Sequence, residues 1–265
     1  MTAEVIAERT FQSLYIWLDL AFLVAFTVML VWQRKYQALI LGFAGAVIYF
    51  AVDYGIYLQV LGTRTITGGS PFWVLVWLSL SYGLTNFAWI WLLLDRDERV
   101  FEWSLFIVAG WLCVALLSQQ FGYDATPITT RRGTGQYHGI MALILFLGYA
   151  GLIVYNLRWS RARGGGAATG GAARRGEAPS VGASGATTGL REPAPILRIL
   201  VIGILIQFSW EAVLAVSGIR TFSWNTLIIN SLVETNMGLP YLWLIHRAMT
   251  ARRDEGMKRV PRRVV

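Results

Sequence analysis

Three acidic residues stand out inside long apolar stretches of the sequence: Asp53, Glu211 and Glu234. An ionisable side chain at the middle of a membrane-crossing helix costs roughly 2.5–3.5 kcal/mol on insertion scales, so each needs a reason to be there. Asp53 and Glu211 each fall about eight residues from the end of their stretch, and Glu234 about ten residues into its own, which sets all three at a similar depth. From three helices they can converge on one cavity, where desolvation and mutual repulsion would keep at least one carboxyl protonated and ready to donate. Polar residues on the same or neighbouring stretches suit the lining of such a cavity: Tyr54 and Tyr57, Tyr82 and Asn86, Gln207, Asn230 and Asn236. Each can equally be a hydrogen bond between helices. Trp89 and Trp210 either pack as apolar surface or present ring faces to a cation. Pro240, just after Gly238, should kink the chain close to Glu234.

Other chemistries lack their residues. His138 and His246 belong to opposite ends of their helices, and Cys113 is the single cysteine, so neither a shared metal nor a disulfide is expected. Glycine-rich phosphate loops, nucleophile elbows and Asp-rich magnesium motifs are absent, which points to chemistry without metal or cofactor. The formal charge of +8 sits between apolar stretches and at the carboxyl end rather than on an interleaved basic face, which argues against nucleic acid as a partner.

The elements that must carry the acids are membrane-crossing helices. The chain of 265 residues is 55% hydrophobic and 14% charged, and a crossing needs about 20 mainly apolar residues. Seven stretches qualify: Leu14 to Trp32, Ala38 to Leu61, Phe72 to Leu94, Phe101 to Phe121, Tyr137 to Leu157, Ile196 to Gly218 and Trp224 to Ile245. The reading is an all-α polytopic protein of the cell membrane. Alternating strand patterns are not evident, which speaks against a β-barrel. Of the 23 Lys and Arg residues, all but Arg9, Arg64, Arg131, Arg132 and Arg220 fall on one side, and that side is the cytoplasm by the positive-inside rule. The amino terminus is then outside and the carboxyl terminus inside. The chain divides into helices one to five over 1–159, a cytoplasmic linker over 160–195 whose Gly, Ala, Ser and Thr cannot bury enough apolar surface to order it, helices six and seven over 196–247, and a basic tail over 248–265. Asp53 with the following Ser79-Leu80-Ser81-Tyr82 and Asn86 aligns loosely with Glu211 and the following Ser231-Leu232-Val233-Glu234 and Asn236. That is either a parallel 3+1+3 repeat or chance among Leu-rich and Trp-rich helices.

An intramembrane acid after an aromatic in helix two, the stretch GTGQYHGIMALILFLGYAGLIVYNLR as helix five, and Glu234 followed by Gly238 in helix seven resemble the seven-helix integral-membrane terpene cyclases of fungal meroterpenoid and bacterial indole-terpenoid pathways. The resemblance implies a metal-free cyclase acting on a lipophilic prenylated molecule dissolved in the bilayer. One acid on helix two and one on the last helix would protonate a terminal alkene or epoxide, carried over here to Asp53 and Glu234, and aromatic faces would steady the carbocation. The chain departs from the family's Trp-Glu pair on helix two, reading Val52-Asp53 there, and has Trp210-Glu211 on helix six instead; Glu211 is therefore a third candidate for the acid. The competing readings are a proton-coupled transporter and a non-catalytic membrane receptor for a lipid.

Overall fold

Residues 7–122, 124–133, 137–168 and 192–259 are described by a computed structural model. Most of the linker reading, 169–191, and the last residues of the tail lie outside these. The chain enters as a strand, β1 (Ala7–Gln12), and continues into helix α1 (Ser13–Trp32). Then follow α2 (Tyr36–Val60), strand β2 (Arg64–Thr67), α3 (Pro71–Leu94), α4 (Val100–Phe121), strand β3 (Pro127–Arg132) and α5 (His138–Ala168). After the linker come α6 (Ile196–Val216), α7 (Trp224–Val233) and α8 (Leu239–Arg259). Helices α1 to α6 are each long and apolar enough to cross a membrane. Their outward surfaces carry bare apolar side chains such as Trp17, Val24, Val47, Phe146 and Val216, which lipid accommodates and water does not. The chain is thus a mostly helical, membrane-associated protein.

Helix α3 is the axis of the bundle. Its apolar window is 78% buried, against 17% for that of α5. Small residues let α2 approach it closely: a Cβ added at Gly83 would collide with the backbone of Ala46, and one at Gly42 with the backbone of Leu84. Both helices change winding, α2 over Ala51–Val60, which carries Asp53, and α3 over Gly83–Phe87, where it packs on α2; in both the hydrogen-bond ring widens to the π form. Such segments are rare and concentrate at functional sites.

Two expectations are corrected. The first concerns strands: β1, β3 and β2 form a three-stranded antiparallel sheet in that spatial order across one end of the bundle. Its strands are only four to six residues long; RTIT and PITTRR nevertheless carry the β-branched residues that favour extended chain. The second concerns the last apolar stretch, which is a broken helix. Helix α7 stops at Val233, the chain turns through Glu234 to Gly238, and α8 starts at Leu239, with Pro240 in its first turn. Proline fits that position because its missing N–H would have no partner there. At the other boundary, α5 runs on to Ala168, past residue 159 where the linker was expected to begin.

Candidate functional site: a carboxylate–guanidinium network under the sheet

Strand periodicity builds one half of the site. Side chains alternate across a strand, so one face of β1 carries Arg9 and Phe11, that of β2 Arg64 and Ile66, and that of β3 Ile128, Thr130 and Arg132, all turned into the bundle. Arg64 pairs directly with Arg132 in the ladder, and Arg9 with Thr130. Glu8 and Arg131, on the opposite face, form an exposed ion pair at 2.7 Å, a contact of little energetic weight. A fourth guanidinium arrives by a turn. Gly218 takes a left-handed conformation (φ +67°) after α6, and the Arg220 N–H folds back onto the Leu214 carbonyl at 3.1 Å.

The helices supply the other half. Asp53, in the widened turn of α2, lies 3.5 Å from Arg64 Nη1 and 3.8 Å from Arg132 Nη1. Arg132 reaches across to Glu234, where Nη2 donates to Oε1 at 2.6 Å. The Gln207 amide then donates at 3.2 Å to both Glu234 Oε2 and Glu211 Oε1, while its carbonyl accepts from Thr235 Oγ1 at 2.6 Å. Glu211 also accepts from Arg220 and, at 3.2 Å, from Asn230 Nδ2, with Arg9 Nη2 at 3.4 Å. Arg9 donates to the Tyr82 hydroxyl. The three acids singled out from the sequence therefore share one continuous network.

Their partners decide their charge state. Four guanidiniums face three carboxylates among the described residues, and each carboxylate touches at least one. Burial works against the charge on Arg132, but Glu234 and Asp53 outweigh it and leave its pKa raised. Burial prevails at Arg64 and Arg220, whose pKa values are lowered; a guanidinium stays charged regardless. Exposure divides the acids. The side chains of Asp53 and Glu211 are 3% and 2% exposed, whereas Glu234 and Arg132 are 13% and 17% exposed. Glu234 is the carboxylate that a ligand can reach.

Aromatic rings lie beneath the network. Tyr82 meets Trp210 edge-on at 4.7 Å, Trp210 meets Trp111 at 4.9 Å, and Trp111 meets Trp89 at 6.0 Å, so a ladder of rings descends from the carboxylates. Tyr57 lies under Arg132 at 6.0 Å, and Tyr49 sits within electrostatic reach of Glu234, Arg132 and Asp53 and bonds toward Asn86. Trp89 is tied to Ser104 at 2.8 Å, remote from the acids. Tyr54 stacks on Phe50 and meets Phe72 edge-on instead of joining the network. Asn236 packs against Gly203 and bonds to Tyr149 and the Ser231 carbonyl, a helix-joining role.

Sequence reading missed two things. Arg9, Arg64, Arg132 and Arg220 had been counted only as outer-loop charges. The three acids also omitted Asp19, a fourth carboxylate inside an apolar helix, fully buried in α1. Comparison with known protein families, with curated proteins and with solved structures gave no match to this chain.

Proposed function

We propose that the protein is a metal-free membrane terpene cyclase, in which protonation of an alkene or epoxide of a prenylated lipophilic molecule starts a carbocation cyclisation. The observation that supports this best is the order of layers: guanidiniums at the sheet, carboxylates next, and aromatic rings packed edge to face below. A cation formed among the rings is drawn by their faces and is screened from the guanidiniums by the intervening carboxylates. Burial of Trp89, Trp111 and Trp210 suits a reaction that water would quench.

The roles differ from those carried over from the family resemblance. A carboxyl whose oxygens already accept from arginine is badly placed to donate, so Glu234, the reachable one, takes up the proton that leaves at the end of the cascade. Asp53 and Glu211 hold the arginines in place, and Tyr82 and Trp210 face the cation. The reading places seven crossings in the cell membrane, the seventh being the broken α7–α8 pair, with the sheet outside and the carboxyl terminus in the cytoplasm. A parallel repeat relating helices one to three to five to seven fits the placement of Asp53 and Glu211 and is part of the same proposal.

Two experiments test it. Coexpression with prenylated phenol or indole precursors, followed by mass spectrometry of extracts, should yield a product isomeric with the substrate; a precursor that returns unchanged from every trial defeats the cyclase reading and favours transport or lipid reception. For the orientation, protease added to intact right-side-out cells should leave the 160–195 segment uncut. Cleavage there would place the sheet in the cytoplasm.

A further inference from the structure

We propose that Asp19 holds a proton inside the bundle and is the acid that delivers it to the substrate; this rests on the cyclase reading. Asp19 is wholly buried in α1 and differs from the other intramembrane acids in its company. Among the described residues no lysine, arginine or histidine pairs with it. Its Oδ2 accepts one hydrogen bond, from Trp77 Nε1 at 2.8 Å, and its Oδ1 is buried without a partner. Ser81 on α3 and Tyr15 on its own helix complete its polar surroundings, inside an aromatic cage in which Phe11, Tyr15 and Trp77 lie 5.0–5.9 Å apart.

An ionised carboxylate in that cage would lack any countercharge, and an unpaired charge in a low-dielectric interior is far costlier than a neutral polar group. The neutral acid fits the observed contacts. Trp77 donates to Oδ2, so Oδ2 is the carbonyl oxygen and the proton belongs on Oδ1, the oxygen with no acceptor of its own.

Position links it to the site. Tyr15 lies within electrostatic reach of Asp19 on one side and of Tyr82 and Arg9 on the other. Asp19 thus stands below the network, about 9 Å along the helix from its sheet end at Ser13. A substrate whose polar end meets Glu234 and Arg132 extends its prenyl chain toward that depth. In the step itself, the alkene π pair takes the proton from Asp19 Oδ1 to form a C–H bond, and the adjacent carbon becomes the cation. Successive alkenes close the rings, Glu234 removes the last proton, and the product is an isomer of the substrate. Asp19 is left as carboxylate beside the Trp77 N–H and is reset when it takes up a proton and Glu234 releases one.

Asp19→Asn keeps an acceptor for Trp77 and nearly the same shape, so the protein should fold and melt as wild type while product formation drops about 100-fold to 10,000-fold, the usual cost of losing a general acid. Asp19→Glu should restore part of it. The infrared spectrum of the wild type should contain a protonated-carboxyl carbonyl band that shifts in D2O and vanishes in Asp19→Asn. If wild type cyclises and Asp19→Asn cyclises equally fast, or if wild type lacks that band, the donor assignment is overturned and the cyclase reading survives. A folded wild type that cyclises no precursor overturns both, and the band then reports only that Asp19 is neutral.

Discussion

Replacing Asp53 with Asn is expected to destabilise the folded protein by roughly 3–5 kcal/mol, the range for stripping one partner from a buried ion pair. Among the described residues Asp53 is the only carboxylate in contact with Arg64, whose side chain is 4% exposed, and it shares Arg132 with Glu234. An amide keeps the shape of the carboxyl but leaves the Arg64 guanidinium buried without a countercharge. Thermal unfolding in detergent should register a large drop, and adding Arg64→Gln to the Asp53→Asn variant should recover much of it, since removing both charges removes the penalty. An Asp53→Asn protein as stable as wild type, yet inactive, would return Asp53 to the donor role that the family resemblance implied.

The second large effect falls on activity. Glu234→Gln should lower formation of the native product about 100-fold to 10,000-fold, because a glutamine cannot accept the terminating proton. The fold should survive this change better than the loss of Asp53. Arg132 keeps Asp53 as a partner, the site is partly open to solvent or lipid, and a glutamine carbonyl still accepts from Arg132. The measurement is product yield per folded protein in membranes, with the melting temperature as control. Equal yields from Glu234→Gln and wild type would remove Glu234 from the chemistry and leave it as a tether for Arg132.

The contrast between these two carboxylates marks the limit of what could be read from the chain. Asp53, Glu211 and Glu234 were legible because a carboxyl in an apolar stretch is costly wherever it lies, and their shared depth follows from counting residues along helices. Their partners were not legible in the same way. Arg9, Arg64, Arg132 and Arg220 lie in short polar segments whose charges first count toward topology, and only the register of β1, β2 and β3 shows that alternate side chains point down into the bundle. A signal existed: buried acids require countercharges, and all five arginines on that side lie in short strands or turns at one end of the helices. Asp19 was passed over because it falls early in the first apolar stretch. Its burial depends on Trp77 and Ser81, residues some sixty positions away that only packing brings near. The break at Glu234 was half-visible. Pro240 announced a disturbance, but the stop at Val233 lies seven residues before it, too far upstream for proline sterics alone, and coincides with the turn that presents Glu234 to Arg132 and Gln207.

The central claim is that a proton from the protein enters the substrate and initiates ring closure. It is tested most directly by incubating wild-type membranes in D2O with a precursor that ends in an alkene and that they cyclise, and counting deuterium in the product by mass spectrometry. The account predicts a cyclised isomer carrying one deuterium on the carbon protonated first, with formation sharply reduced in Asp19→Asn and in Glu234→Gln. A cyclised product without deuterium, or a precursor that crosses or binds the membrane protein chemically unchanged, would contradict it.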